Sequence, residues 1–305
     1  MEYRIEQRDI IINIDSIGLA TVQDFFDAYI ASKKIQHLMI QNKEITIDGQ
    51  NVQRNTALKG KELRFCLYPY EYPYTHSCHN KLEIIYEDEL FLVVNKPSGI
   101  IVHSDGNNKE TLSDMVSTYY YDQHKNYYSA QALHRLDEDT SGMVVFSKSV
   151  IFQPLLDQML ANKQIRRHYL AFVEGKIAAH TRMMIENPLG KDRHDSRRVI
   201  VYAKGQKAQT KVESLGYGKK NYSVLSCRLL TGRTHQIRVH LSHNKMPILN
   251  DKLYGNKSDL MKDMGLIANE LHFYHPLKGE MMALKCPLTG DFKRLYEGII
   301  DEEDC

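Results

Sequence analysis

Residues 134–146 read HRLDEDTSGMVVF, and the reading of the whole chain turns on this stretch. Its first nine residues place one arginine and three acids, Asp137, Glu138 and Asp139, beside Thr140, Ser141 and Gly142, a composition that makes a turn. The next four, MVVF, form an unbroken apolar run that reads as a buried strand. A polar loop feeding such a strand presents a carboxylate at the edge of a sheet. The same acids could equally belong to a plain turn whose oxygens satisfy backbone groups, so the surrounding chain has to decide.

Working outward, 82–86 and 90–94 are apolar runs separated by Glu87, Asp88 and Glu89 and read as paired strands. Further strands are expected at 169–173, 199–202, 222–230 and 281–284, and helices at 112–120, 151–161 and 234–243. Many strands with few helices between them predict an α+β domain on a mixed, mostly antiparallel sheet. Residues 68–80 (YPYEYPYTHSCHN) hold Pro69 and Pro73 in a tyrosine-rich polar stretch that breaks both periodicities, as a linker does. Before it, Thr21 and Asp24 form a capping-box pattern that opens a helix with Val22, Phe25, Phe26, Tyr29 and Ile30 on one face. Ile35, Leu38 and Met39 mark a second helix, and EITIDG at 44–49 alternates as a strand and ends in an Asp-Gly hairpin turn. The expected organisation is a small domain over 1–75 and a larger one over 76–305.

Composition agrees with an ordinary folded chain: 305 residues, 42% of them hydrophobic, bury a sizeable core and suggest about two domains. A net charge of +2 is too mild to identify a polyanionic partner, so local clustering must carry that argument. Between residues 33 and 64 stand Lys33, Lys34, Lys43, Arg54, Lys59, Lys61 and Arg64 against only Glu44, Asp48 and Glu62. This is either a solvated helix face or a footprint for phosphates. The five cysteines contain no CxxC pair and fit a reducing cytoplasm better than a disulfide framework. Neither a signal peptide nor a run of about 18 apolar residues is visible, so no membrane association is expected.

With these elements placed, HRLDEDTSG resembles the HRLDxxTSG signature of the RluA-type pseudouridine synthases, with every signature residue present. Five further stretches resemble the family in its order: NKPSG at 95–99 followed by His103, RRHYLAFVEG at 166–175, LLTGRTHQIRVHLSH at 229–243, NDKLYG at 250–255 and LHFYHP at 271–276. The last two stand where the family more often has GDxLYG and LHA. The N-terminal order of helix, basic helix, strand, turn and strand resembles the α-L RNA-binding domain of a small-subunit ribosomal protein. It carries IDG where that family often has VNG, and Gly60-Lys61 in place of Gly-Asp.

The resemblance implies a pseudouridine synthase fold and an isomerisation in which the N1–C1′ bond of uridine breaks, the base turns, and it rejoins through C5. Every substrate atom is retained, so neither cofactor nor metal is expected. It makes Asp137 the catalytic carboxylate, acting as nucleophile, as stabiliser of an oxocarbenium ion, or as base toward the 2′ proton. Arg233, in TGRTHQ, is its expected guanidinium partner. Tyr169 is expected to stack on the flipped uracil with its hydroxyl near the C5 proton, and Leu271 to lie under the base. Arg135 is the candidate for filling the place that the base vacates. His134, Lys96 and Arg238 are further substrate-binding candidates, joined on the RNA backbone by Arg166, Arg167, Lys191, Arg193, Arg197 and Arg198. The partner is RNA, with ribosomal RNA favoured over transfer RNA, and the enzyme is expected to be a cytoplasmic monomer. Removing residues 1–75 is expected to weaken RNA binding and leave the larger domain folded.

Two other readings compete with this one. A hydrolytic metal centre could draw on His134, Asp137, His235, His240 and His243, but the last three do not share one helical face. His76, Cys78 and His79 lack a second pair of ligands. A non-catalytic RNA-binding or ribosome-assembly factor could keep the fold without the reaction, but retention of Asp137, Tyr169 and Arg233 together argues against it.

Overall fold

The computed structural model describes residues 1–72, 81–104, 106 and 110–300. The chain begins with a hairpin that the sequence reading did not anticipate, β1 (Tyr3–Glu6) and β2 (Asp9–Asn13), turned at Gln7 with φ 55°. Helix α1 (Val22–Tyr29) opens on the expected capping box: the Asp24 N–H donates to Thr21 Oγ1 at 3.2 Å and the Thr21 N–H to Asp24 Oδ2 at 2.9 Å. Helix α2 (Lys33–Gln41) follows, capped by Ser32, and then β3 (Ile45–Ile47), β4 (Gln50–Asn51) and β5 (Glu62–Cys66). The five strands lie in the order β1-β2-β5-β3-β4. Asp48 and Gly49 take positive φ values of 47° and 78°, as the Asp-Gly hairpin turn requires. The Asp48 carboxylate also accepts the backbone N–H groups of Lys61 and Glu62. A side chain at residue 60 would stand 2.5 Å from Asp48 Oδ2, which explains Gly60.

The larger unit runs β6 (Glu83–Glu87), β7 (Phe91–Lys96), α3 (Leu112–Asp122), β8 (Gln131–Ala132), β9 (Ser141–Ser147), α4 (Gln153–Ala161), β10 (Arg166–Glu174) and β11 (Arg182–Ile185). It continues through β12 (Leu189–Lys191), β13 (Val199–Val201), β14 (Thr210–Gly218), β15 (Tyr222–Leu229), α5 (Gln236–His243), β16 (Leu266–Tyr274), β17 (Met281–Lys285), α6 (Gly290–Glu297) and β18 (Ile299–Ile300). The main path of its sheet is β11-β14-β15-β10-β16-β9-β7-β6, and β12 and β13 form a separate hairpin. Its pairings are antiparallel apart from β9 with β16, so the expected α+β, mostly antiparallel sheet is what the chain builds. No helix among the described residues is long and apolar enough to cross a membrane.

Alternation along the strands sorts side chains onto the two faces of this sheet. Phe91, Val93, Met143, Val145, Leu170 and Phe172 enter one apolar cluster with α4 and α6. Their neighbours Leu92, Val94, Val144, Phe146, Tyr169 and Ala171 enter another with α3 and α5. The N-terminal unit joins the first cluster. Phe65 faces Phe152 with ring centroids 6.5 Å apart and Tyr68 meets Tyr128 at 4.8 Å. The Tyr68 hydroxyl donates to the Glu89 carbonyl at 2.6 Å and Ser149 Oγ to the Leu67 carbonyl at 2.7 Å. The expected linker therefore starts with a tyrosine that is 2% exposed. Residues 73–80, with His76, Cys78 and His79, lie outside the described residues.

Candidate active site

Three features hold the loop before β9 in one shape. Gly142, with φ 108°, lets β9 lie against β16 so closely that a Cβ there would meet the Ala268 carbonyl oxygen at 2.3 Å. The Thr140 N–H donates to the Asp137 carbonyl at 3.1 Å and closes the turn. From beneath, Lys96 Nζ donates to the carbonyls of Pro97, Ile100 and Glu138 at 2.8, 2.7 and 2.8 Å. Ser98 and Gly99 bind the same loop through the Asp139 and Glu138 carbonyls. The NKPSG stretch is thus the clamp on the acidic loop. Lys96, expected on the RNA backbone, is fully buried and spends its donors inside the protein. Burial pushes its pKa down to about 8, against the pull of Asp137, Asp139 and Glu138.

Asp137 faces a cavity of about 500 Å³, walled also by Tyr169, His235, Arg238 and Leu266 with Arg135 exposed beside it. The guanidinium that meets Asp137 belongs to Arg238, whose Nη1 donates to Oδ2 at 3.1 Å. This corrects the expectation for Arg233. That side chain stands in the exposed turn before α5 and gives its Nε to the Lys207 carbonyl at 3.2 Å. Arg238 stands in the first turn of α5, is 4% exposed, and cannot serve as a free RNA contact. Its remaining fork goes to Asp251, Nε to Oδ2 at 2.7 Å and Nη2 to Oδ1 at 2.8 Å. Burial works against this guanidinium's charge, but Asp251 and Asp137 outweigh it and its pKa is raised. Burial likewise opposes the charge of Asp251, and Arg238 with the Leu253 and Tyr254 N–H groups overcomes it, so that carboxyl lies below its usual range. Asp137 Oδ2 also has His235 Nε2 at 3.9 Å. Its other oxygen, Oδ1, takes no donor among the described residues and is left for whatever fills the cavity.

Tyr169 reaches the cavity wall from β10, where it is 4% exposed. Burial pushes its phenol pKa up, Arg167 opposing and Asp137 adding to the rise, so the ring enters neutral conditions protonated. One other expectation is corrected by the period of two along strands, and another is revised by burial. Leu271 lies on the far face of β16 with Ile267 and Phe273, and the apolar residue that β16 offers the cavity is Leu266. His134 borders the cavity but is buried, with Nε2 accepting the Val145 N–H at 3.4 Å, so it is a support of β9 more than a free substrate contact. Burial holds its pKa well below the usual value.

Sequence reasoning gave no role to Asp251, Gln236 or Tyr254, although the first and last stand in the quoted NDKLYG. Gln236 organises the turn before α5: its Oε1 accepts Thr231 Oγ1 and the Arg233 N–H, and its Nε2 donates to the Gln209 carbonyl. His240, one of the imagined metal ligands, has both nitrogens engaged, Nδ1 with Thr210 Oγ1 and Nε2 with the Asn187 carbonyl, each at 2.9 Å. Among the described residues no group of three or more His, Cys, Asp or Glu could hold a metal ion.

Comparison with known proteins agrees with this architecture. A family model described as RNA pseudouridylate synthase matches residues 90–243. "Uncharacterized RNA pseudouridine synthase YhcT" of Bacillus subtilis (strain 168) is 32% identical over 290 residues, covering 94% of this chain and 95% of that protein. "Ribosomal large subunit pseudouridine synthase D" of Xanthomonas campestris pv. campestris is 30% identical over 279 residues, covering 86% and 83%. Among solved structures, human RNA pseudouridylate synthase domain containing 1 superposes with a TM-score of 0.57 at 25% identity, covering 68% of this chain and 84% of that one. With the signature loop, its cavity and these matches together, the chain belongs to the RluA-type family of RNA pseudouridine synthases.

Proposed function

We propose that this enzyme isomerises uridines in structured large-subunit ribosomal RNA and that Asp137 is the carboxylate that acts at C1′. The observation that carries the reading is the asymmetry of Asp137 at the cavity: Oδ2 is held by Arg238, itself locked by Asp251, while Oδ1 takes no donor among the described residues. A nucleophile, an oxocarbenium stabiliser and a base for the 2′ proton all need one fixed, unengaged oxygen. Tyr169 beside it supplies a neutral aromatic wall for a uracil turned out of its stack. Arg135, exposed at the cavity and next to the loop, is suited to enter the space that the base leaves. The ribosomal substrate is supported by the relative whose name specifies the large subunit.

The N-terminal unit supports an RNA-gripping role with a reduced set of charges. Lys33 pairs with Asp27, Arg64 with Asp9 and Glu6, and Arg54 is tied to Gln23 and Gln36. Lys34, Lys43, Lys59 and Lys61 remain exposed with no ion-pair partner among the described residues and are the groups available to phosphates.

The test is to map pseudouridines, by a chemical adduct that stops reverse transcription, in total RNA from cells with the intact gene, its deletion and Asp137→Asn. Loss of the same few ribosomal sites in both altered strains is expected. Sites lost from transfer RNA alone would refute the ribosomal assignment, and sites retained with Asp137→Asn would refute the carboxylate.

A further inference from the structure

The turn entering α5 places His235 at the N-cap of the helix. His235 has φ 54° and ψ 19°, the left-handed region. The side chain does not repay the helix with a cap, since it makes no N-cap hydrogen bond. It is directed at two other groups. Nδ1 lies 2.9 Å from the Tyr254 hydroxyl, with the rings edge to face at 5.6 Å, and Nε2 lies 3.9 Å from Asp137 Oδ2. The Tyr254 oxygen already accepts the Val199 N–H at 2.7 Å.

We propose that His235 is a positioning residue for Asp137: the Tyr254 hydroxyl donates a hydrogen bond to Nδ1, the neutral imidazole carries its one proton on Nε2, and Nε2–H closes onto Oδ2 as a second donor when uridine occupies the cavity. This inference rests on the reading of Asp137 as the acting carboxylate. In the open cavity Oδ2 has one hydrogen bond, from Arg238 Nη1, because the rest of that guanidinium is committed to Asp251. One donor leaves a carboxylate free to turn about its Cβ–Cγ bond, and two donors on one oxygen fix its plane and leave Oδ1 aimed at the sugar. The gap of 3.9 Å is longer than a hydrogen bond and shorter than a separation that would admit a water, so a small closure completes the contact. Burial lowers the pKa of His235; Asp137 and Asp251 oppose that and Arg238 adds to it, so the ring does not compete with Arg238 as a second cation. Two guanidinium groups also lie over the Tyr254 ring, Arg198 at 5.3 Å and Arg238 at 5.2 Å from its centroid. Val199, next after Arg198, begins the return strand of the hairpin that carries the exposed Arg193 and Arg197. The seat of that basic hairpin and the aim of the carboxylate therefore share one tyrosine.

The experiment follows tritium release from C5-tritiated uridine in large-subunit ribosomal RNA taken from cells lacking the gene, with kcat and KM resolved for each protein. His235→Leu is expected to lower kcat about tenfold, the worth of one hydrogen bond, with KM little changed. His235→Gln, whose amide N–H reaches the place of Nε2, is expected to recover most of that loss. Tyr254→Phe should fall in kcat by a smaller factor. A wild-type kcat in His235→Leu overturns the proposal, as do Gln and Leu variants that are equally slow at unchanged melting temperature. Should the leucine variant not fold, Gln against Asn makes the same comparison, because the shorter amide cannot reach Oδ2 and equal rates again overturn it. Release by Asp137→Asn at the wild-type rate would instead refute the reading of Asp137, which separates the two failures.

Discussion

Two clusters of buried charge stand on the same sheet and end differently. At the turn between β6 and β7, Asp88 has a side chain that is 4% exposed. Its Oδ1 takes the Leu90 and Phe91 N–H groups, and its Oδ2 takes Tyr86, His275 and Lys278 at 2.5, 2.8 and 3.1 Å. Beside it the equally buried Lys148 reaches Glu87 at 2.8 Å and the Asp88 carbonyl at 2.5 Å. At the cavity, Arg238 and Asp251 are as deeply buried, yet the third member, Asp137, is 26% exposed and keeps one oxygen unengaged. Taking charges out of water costs several kcal/mol per ion unless good geometry offsets it. The first cluster completes its bonds and can only hold the fold. The second stops one bond short, and on the proposed function that missing partner is the substrate.

Substitutions should therefore separate the clusters by what they damage. Asp137→Asn is expected to lower kcat by about a thousandfold or more while leaving the melting temperature unchanged, since Arg238 keeps its fork on Asp251. Loss of stability in place of activity would place Asp137 with Asp88 as a structural charge. One step out, Arg238→Lys and Asp251→Asn should each cost about a hundredfold in kcat, because a lysine cannot bind both carboxylates and an amide cannot hold the fork. Arg233→Lys should change kcat by no more than a few-fold. The reverse ranking of Arg233 and Arg238 would restore the assignment drawn from sequence.

That misassignment shows where the sequence stops being legible. Both arginines lie in TGRTHQIR, and which one faces Asp137 depends on where α5 starts, set by the left-handed His235 and by the Gln236 side chain gathering the preceding turn. Neither leaves a trace in periodicity. Capping boxes, the Asp-Gly turn and the apolar run of β9 were legible because each is a local rule, written in residues that are neighbours in the chain. Strand β14 was overlooked because its inward positions include Ser214, Gly216 and Gly218, which bury without reading as apolar. Leu271 was placed in the site by motif position, and only the register of β16 shows that it points to the other face.

The extent of the N-terminal unit was also hidden, since Phe65, Leu67 and Tyr68 bury against residues far along the chain. Removing residues 1–75 would uncover Phe152 and Tyr128, so the larger unit left alone is expected to melt lower and expose apolar surface, as dye binding would report. An unchanged melting temperature would restore the expectation of independent domains.

The complete cluster gives the next smaller contrast. Asp88→Asn should cost about 3–5 kcal/mol of stability, with kcat per folded molecule retained, because it strands Lys278 and His275 without their anion. Burial raises the pKa of Asp88, but His275, Tyr86 and the backbone donors outweigh it, so its folded pKa lies below its ordinary value. A depressed carboxyl contributes stability above its unfolded pKa and loses it as pH falls through the folded one. The difference in stability between the wild type and Asp88→Asn should therefore be full at neutral pH and shrink on acidification below about 4. A difference independent of pH would mean that packing, not charge, holds this turn.

The smallest effect belongs to Lys96, which lies under the open cluster and carries its charge against burial. Its folded pKa of about 8 lies below the ordinary lysine value of 10.5, the opposite sign from a lysine that gains a carboxylate partner. Over that window the unfolded chain binds more protons than the folded one, so this group's contribution to stability rises with pH. Lys96→Met removes the titration together with the three hydrogen bonds to carbonyls. Unfolding measured at intervals from pH 7 to pH 10 should show the wild type gaining on Lys96→Met through the upper part of the range. A wild type that instead loses ground would mean that Asp137, Asp139 and Glu138 together outweigh burial at this lysine. The clamp under the acidic loop would then be held by charge, and the open cluster would include a fourth member.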